Sequence, residues 1–304
     1  MKSIVSAFIL SFAFFSYAYA QVAGPALDPG FLILATSVNP AVLQWHSTSI
    51  ITVGKFDGTN KIFDQNGQPV FRAEWEGEYS KVRYVDEDFA IGADYFSGNA
   101  GTNIPSEPRD LEKGFGLATK IREFLAVGFG AFKTDHPSTP VETRRPTFGI
   151  SLRFFEELYF GYSTGVEIRR SDISEIARNN RYFGVGYLTK SESFKIHAEI
   201  WRAEMPAYRF VSGFVFGEED ITAGIIEFNF NGFQFGLRVA KFVGFDESFP
   251  SRRREEDTIG IQVGWVPHEG FAAAARFETS DRTETPSGQT REIERLYLTL
   301  AYIF

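Results

Sequence analysis

The chain has no cysteine among its 304 residues, so neither a disulfide framework nor thiolate metal ligands can hold it together. It lacks any run of about 18 uninterrupted apolar residues, which excludes an ordinary transmembrane helix. Methionine is scarce, with 2, and histidine stands at 4. The excess of acid, 39 Asp+Glu against 31 Lys+Arg, gives a formal charge of −8 and removes the electrostatic case for nucleic acid as a partner. No metal-ligand spacing, phosphate-binding glycine loop or nucleophile motif occurs, so no catalytic, cofactor or metal site is expected. His197, with Glu199 two residues on, is the only candidate for an oriented base, and nothing beside it supplies a nucleophile.

Aromatic residues and glycine are abundant instead: 33 Phe, 12 Tyr and 28 Gly. Both suit an all-β chain, Phe and Tyr on a pleated surface and Gly where the sheet must bend. The first residues have a separate logic. Lys2 provides a positive start, residues 4–15 are apolar but too short to span a bilayer, and Ala18-Tyr19-Ala20 places small residues where a signal peptidase reads. A signal peptide over residues 1–20, cleaved after Ala20, is expected, and with it export.

From about His46 onward the dominant period is two. Phe148, Ile150, Leu152 and Phe154 alternate with Gly149, Ser151 and Arg153; Ile259, Ile261, Val263 and Trp265 alternate with Gly260, Gln262 and Gly264. Each such strand has one apolar and one polar-or-small face. A soluble sandwich also alternates, but here large apolar residues form unbroken rows opposite rows that mix glycine with full charges. An exported sheet of that kind closes into a barrel in lipid, apolar side out. The last row, Leu296, Leu298, Leu300, Tyr302 and Phe304, resembles the terminal-strand signature of outer-membrane barrels. Tyr302 and Phe304 are therefore expected to be read by barrel-assembly machinery.

The fold class expected over residues 46–304 is all-β: a transmembrane antiparallel up-and-down barrel in the outer membrane, with outer-membrane lipid around it. Short turns at 85–88, 122–123, 155–157, 191–193, 231–232 and 267–270 alternate with long loops at 57–67, 99–109, 134–145, 170–180, 244–257 and 281–291. With one further loop at 217–220 they divide the chain into about fourteen strands. The stretch 193–217, taken as one strand interrupted near Met205-Pro206, leaves twelve or sixteen open. The rows expected to face the lumen carry Arg72, Glu74 and Glu76; Lys195, His197 and Glu199; Arg238; and Arg276 and Glu278. These charges form either a structural ionic network or a polar conduit. Glycines on the same face, Gly92, Gly116, Gly128 and Gly149 among them, either leave room for a plug or permit curvature.

Residues 21–45 precede the first strand and are apolar and mildly helical, suited to a lumen plug or a periplasmic segment. They contain Asn39-Pro40-Ala41, preceded by small residues and followed at once by strand one. A second phrase, strand-turn-strand, runs from Lys120 through Glu123 to Gly130. In these two features the chain resembles the FadL-type family of outer-membrane transporters. The resemblance implies a fourteen-strand barrel that passes hydrophobic small molecules, with residues 39–41 near the solute's path. The alternative of another class is a structural or assembly barrel with a sealed lumen that anchors a partner.

Overall fold

The structure, a computed structural model, describes residues 39–304 except 46–47, 87–89, 103–108, 137–140, 156, 172–174, 190, 192–193, 207, 210–214, 217, 247–251 and 286. The expected signal peptide, residues 21–38 and His46 thus lie outside the described residues. After a 3-10 helix at Pro40–Trp45 come β1 (Ile50–Phe63), β2 (Pro69–Asp86), β3 (Ile91–Thr102), β4 (Asp110–Arg122), β5 (Leu125–His136), β6 (Val141–Phe154), β7 (Leu158–Ser171) and β8 (Glu175–Leu188). Then follow β9 (Phe194–Met205), the two-residue strands β10 (Tyr208–Arg209) and β11 (Val215–Phe216), β12 (Glu218–Phe230), β13 (Phe233–Asp246), β14 (Arg252–Trp265), β15 (Gly270–Thr285) and β16 (Gln289–Ile303).

Consecutive long strands pair antiparallel, with β9 joined to β12 past the small β10–β11 hairpin. β1 pairs with β16 along its whole length, and β8 pairs with β9, so fourteen long strands close on themselves. Closure matters because hydrocarbon offers no partner to a free N–H or C=O. Both ends of the barrel wall meet at one rim, where Ser49 and Phe304 exchange backbone hydrogen bonds of 3.1 Å. That rim carries the tight turns. Asn231 and Gly232, with φ of 49° and 90°, make the β12–β13 turn in the left-handed region that Asn-Gly tolerates, and Asn229 Oδ1 accepts the Gly232 N–H at 3.1 Å.

The loops of the opposite rim are shorter than the sequence suggests. Strand β1 runs on to Phe63, β15 to Thr285, and β16 begins at Gln289, inside stretches expected to be loops. The wall continues past the lipid as strand whose outer row is charged and solvated, so polarity there does not mean loop. At the β1–β2 turn, Asp64 accepts backbone N–H groups from Gln68 and Asn66, both at 2.8 Å. The bond from Gln68 contributes most to holding its carboxyl below the usual range. The loop expected at 217–220 lies earlier: β9 stops at Met205, because Pro206 has no N–H to continue the ladder, and β12 already starts at Glu218.

The apolar rows face outward. Phe129, Phe148, Ile261 and Leu298 are exposed on the outer surface, whereas their strand neighbours Gly128, Gly149, Gly260 and Thr299 are buried on the inner one. On β16 the outer row is apolar from Leu296 to Phe304 and turns acidic at Glu294 and Glu292. At an ordinary strand tilt those nine residues cover roughly 20 Å of membrane depth. Exposed aromatics gather at the tight-turn rim, where Phe233 meets Trp265 edge-on at 4.9 Å and Phe271 meets Tyr302 at 5.1 Å. Such a ring suits the lipid–water boundary.

Arg72, Glu74 and Glu76 correct the expected facing. On β2 the buried row is Gly77, Tyr79, Lys81 and Arg83, which puts the other three on the outside, with the Arg72 and Glu74 side chains 64% and 52% exposed. They lie above the apolar belt, where the outer face is wet and a charge no longer marks the lumen.

The position of the lipid boundary is testable on one row of β16. Replacing Leu298 by Arg should cost about 2–4 kcal/mol of stability in a phospholipid bilayer, measured by urea titration, and Glu292→Arg less than about 1 kcal/mol. Equal losses at both positions would put the boundary elsewhere.

Candidate functional site

The 3-10 helix begins as its sequence directs. Pro40 pre-sets the first turn, and Asn39 caps it through Oδ1, which accepts the Ala41 N–H at 3.1 Å. The same amide fastens the turn to the wall, Nδ2 donating to the Ile150 carbonyl on β6 at 2.9 Å. Further along, Gln44 Nε2 donates to the Ala118 carbonyl on β4 at 3.0 Å, and Trp45 Nε1 donates to Ser151 Oγ at 2.7 Å. The Trp45 ring lies between two cations, Lys120 at 5.8 Å and Arg153 at 5.1 Å, with the Tyr159 ring 6.0 Å away. Asn39, Ala41, Val42 and Leu43 are completely buried.

The glycines opposite this helix are there to admit it. A Cβ on Gly128 would come within 2.5 Å of the Ala41 nitrogen and 2.6 Å of the Pro40 carbonyl carbon, and one on Gly149 would collide with Asn39 Oδ1. At Gly92 it would meet Leu43 Cβ at 2.9 Å. Of the two roles left open for these inward glycines, room for an element packed against the inner wall is the one their contacts describe. Elsewhere glycine seats charge: a Cβ on Gly260 would stand 2.9 Å from Glu278 Cγ, and one on Gly236 3.1 Å from Glu227 Cγ.

The inner charges meet across neighbouring strands. His197 Nδ1 lies 3.1 Å from Glu227 and Nε2 3.7 Å from Glu199. On β14 to β16, Arg276 and Arg295 approach Glu278 at 3.2 and 3.8 Å, and Arg282 approaches Glu256 at 2.7 Å. Arg238 belongs to the same buried wall, and Lys195, half-buried, projects inward below His197. On β2 and β3, Lys81 faces Asp94 at 3.7 Å. Buried charges persist only when paired in this way.

Sequence reasoning missed the inward aromatics. Phe56, Tyr79, Phe96 and Tyr297 form one buried cluster with Trp75 against it. Tyr182, Trp201, Met205 and Ile221 form another, with Phe242 packed on it. Their signal was parity: Trp75, Tyr79 and Lys81 share a row, which the outward charges at 72–76 obscured.

No family model matches the sequence, and no match was found among curated proteins. Solved structures do match. A TodX deltaS2S3 mutant monoaromatic hydrocarbon channel superposes with TM-score 0.56 at 11% identity, covering 88% of this chain and 93% of that one. The CymD monoaromatic hydrocarbon channel gives 0.54 at 10%, covering 92% and 94%. A Pseudomonas aeruginosa FadL homologue gives 0.51 at 8%, covering 87% and 92%. The chain shares its fold with the FadL-type channels.

Within that fold the sequence-derived residues divide into three groups. Asn39, Pro40 and Ala41 sit against the inner face of β5 and β6. Lys195, His197, Glu199, Arg238, Arg276 and Glu278 lie on the inner wall, while Arg72, Glu74 and Glu76 do not join them. Tyr302 and Phe304 stack at 6.3 Å on the outer surface of the rim.

Steric dependence between the helix and its glycine floor gives a second prediction. In the full chain Gly128→Val should cost about 1–3 kcal/mol in urea unfolding. The same substitution should cost clearly less once residues 21–45 are deleted, when only the Leu117 carbonyl, 2.9 Å from the added Cβ, is left to meet it; an undiminished cost there would show that the helix is not what the added methyls meet.

Proposed function

We propose that this protein is an outer-membrane transporter that admits hydrophobic small molecules through its lumen. In this reading residues 1–20 are removed on export, residues 21–45 plug the lumen, and Tyr302 and Phe304 present the last strand to barrel-assembly machinery. The observation that carries the proposal is the pair of buried aromatic clusters on the inner wall. A porin for polar solutes has a polar interior; here Phe56, Tyr79, Tyr182, Trp201 and Phe242 pack ring on ring inside the barrel, and a passing apolar molecule would replace those ring contacts with its own. The hydrocarbon channels named by two of the similar structures support the same class of solute. His197 is flanked by two carboxylates and is given no catalytic role.

The buried ionic wall of β14 to β16 favours a second reading, a sealed barrel that anchors a partner. The two separate in one assay, the uptake of radiolabelled naphthalene by Gram-negative cells without their own hydrocarbon channel. Transport predicts uptake above the vector control that falls severalfold in Trp201→Gln, with barrel folding checked by heat-modifiable gel mobility. Uptake no greater than the control, together with silent planar bilayers, would leave the sealed anchor.

A further inference from the structure

The buried inner charges of β14, β15 and β16 do not balance. Arg276, Arg282, Arg291 and Arg295 stand against Glu256 and Glu278 alone, in a chain whose formal charge is −8. Three of these arginines reach a carboxylate. Arg276 and Arg295 approach Glu278 at 3.2 and 3.8 Å, and Arg282 and Arg295 approach Glu256 at 2.7 and 3.8 Å. Arg291 is the exception. It is 8% exposed, its Nη1 is buried without a hydrogen-bond partner, and no carboxylate among the described residues forms an ion pair with it. Its register sets it directly opposite Arg282 across the β15–β16 ladder. Like charges so placed repel, and a buried guanidinium without a counter-ion is costly. Glu284, the next inward carboxylate toward the rim on β15, is itself opposite Arg254.

Arg291 stands at the wet end of the lumen. It lies near the start of β16, and its outward neighbours Glu292 and Glu294 are above the apolar belt. Toward the membrane the lining turns aromatic. Gly58 on β1 pairs with Arg295 on one side and Trp75 on the other. Having no side chain, it lets the Trp75 ring lie across it, where a Cβ would stand 2.3 Å from Trp75 Cε2. Trp75 meets Phe56 at 5.2 Å and through it the cluster of Tyr79, Phe96 and Tyr297. Guanidinium groups above ring faces complement a molecule with an oxyanion at one end and a flat apolar body at the other.

We propose that Arg282 and Arg291, with Arg295 below them, form an oxyanion site that captures aromatic carboxylic acids at the outer end of the lumen. The carboxylate is the counter-ion for Arg291, and the ring points toward Trp75 and Phe56. Inorganic phosphate offers similar oxygens without a ring, so the aromatic neighbours are what single out the acid. The purpose of the capture rests on the transport reading above; the binding itself does not.

The test is equilibrium dialysis of radiolabelled naphthoate against the purified full chain in detergent micelles near neutral pH, with protein-free micelles subtracted. Arg291→Gln should weaken naphthoate binding roughly tenfold or more, the scale of one hydrogen bond to a charged group, and leave the uncharged naphthalenemethanol unaffected. The same substitution should leave the urea midpoint of the ligand-free protein unchanged or raised, because it removes a buried charge that no described carboxylate answers. Undiminished naphthoate binding, or a lowered midpoint with equal loss of both ligands, overturns the site. Inorganic phosphate that displaces naphthoate at equal concentration overturns the assignment to an aromatic acid. On cells, Arg291→Gln should lower naphthoate uptake and spare that of naphthalene. Naphthoate that binds through Arg291 while neither compound is taken up leaves the site standing and fells the transport reading. Naphthalene uptake without Arg291-dependent naphthoate binding does the reverse.

Discussion

A peptide group without a hydrogen-bond partner in hydrocarbon costs several kcal/mol, and a strand exposes one such group at every residue. Closing the sheet, β1 onto β16, removes that cost for the whole chain at once. The rest of the architecture follows from it. With the backbone of the lipid-facing strands committed to the wall, side chains are left to sort by face, and the wall divides lipid from lumen. A position on β16 can therefore be assigned to grease or to interior by counting in twos.

That simplicity is why much of the fold was legible in the sequence. The rows through Phe148, Ile261 and Leu298 pointed outward as their alternation required, and the inward glycines and the charges of β9, β13 and β15 lay opposite. Legibility failed where the solvent changed. Above the lipid both faces of a strand are wet, so Arg72, Glu74 and Glu76 could not be told from lumen residues by polarity, and the strands there looked like loops. The inward aromatics were hidden for the converse reason: a ring beside Gly77 or Lys81 looks greasy enough for lipid, and only the parity fixed by its buried neighbours reveals its direction. Asn39-Pro40-Ala41 stood out as a phrase, yet the glycine floor under its helix comes from three different strands, β3, β5 and β6, a relation only the closed barrel makes visible.

Inside, two kinds of surface share one cylinder. The wall from β13 to β16 holds its arginines and carboxylates in mutual contact, an arrangement that costs desolvation and returns it only while every partner stays in place. The aromatic clusters demand no such bookkeeping, since ring faces accept many apolar shapes. The ionic wall and the aromatic clusters, which meet where Arg276 lies 4.3 Å over the Tyr297 ring, together give the lumen a fixed frame and an apolar lining. Such a combination suits recognition by general chemical character rather than by the exact outline of one molecule.

The glycine floor beneath the 3-10 helix has one more geometric corollary. Because Gly92, Gly128 and Gly149 bring no side chain of their own to that stretch of wall, nothing in them could swell to fill the space if the helix withdrew. The bore of the cylinder is consequently not continuously adjustable on that side: it has one width with the helix seated and a second, larger by a whole turn of polypeptide, with bare backbone as its surface.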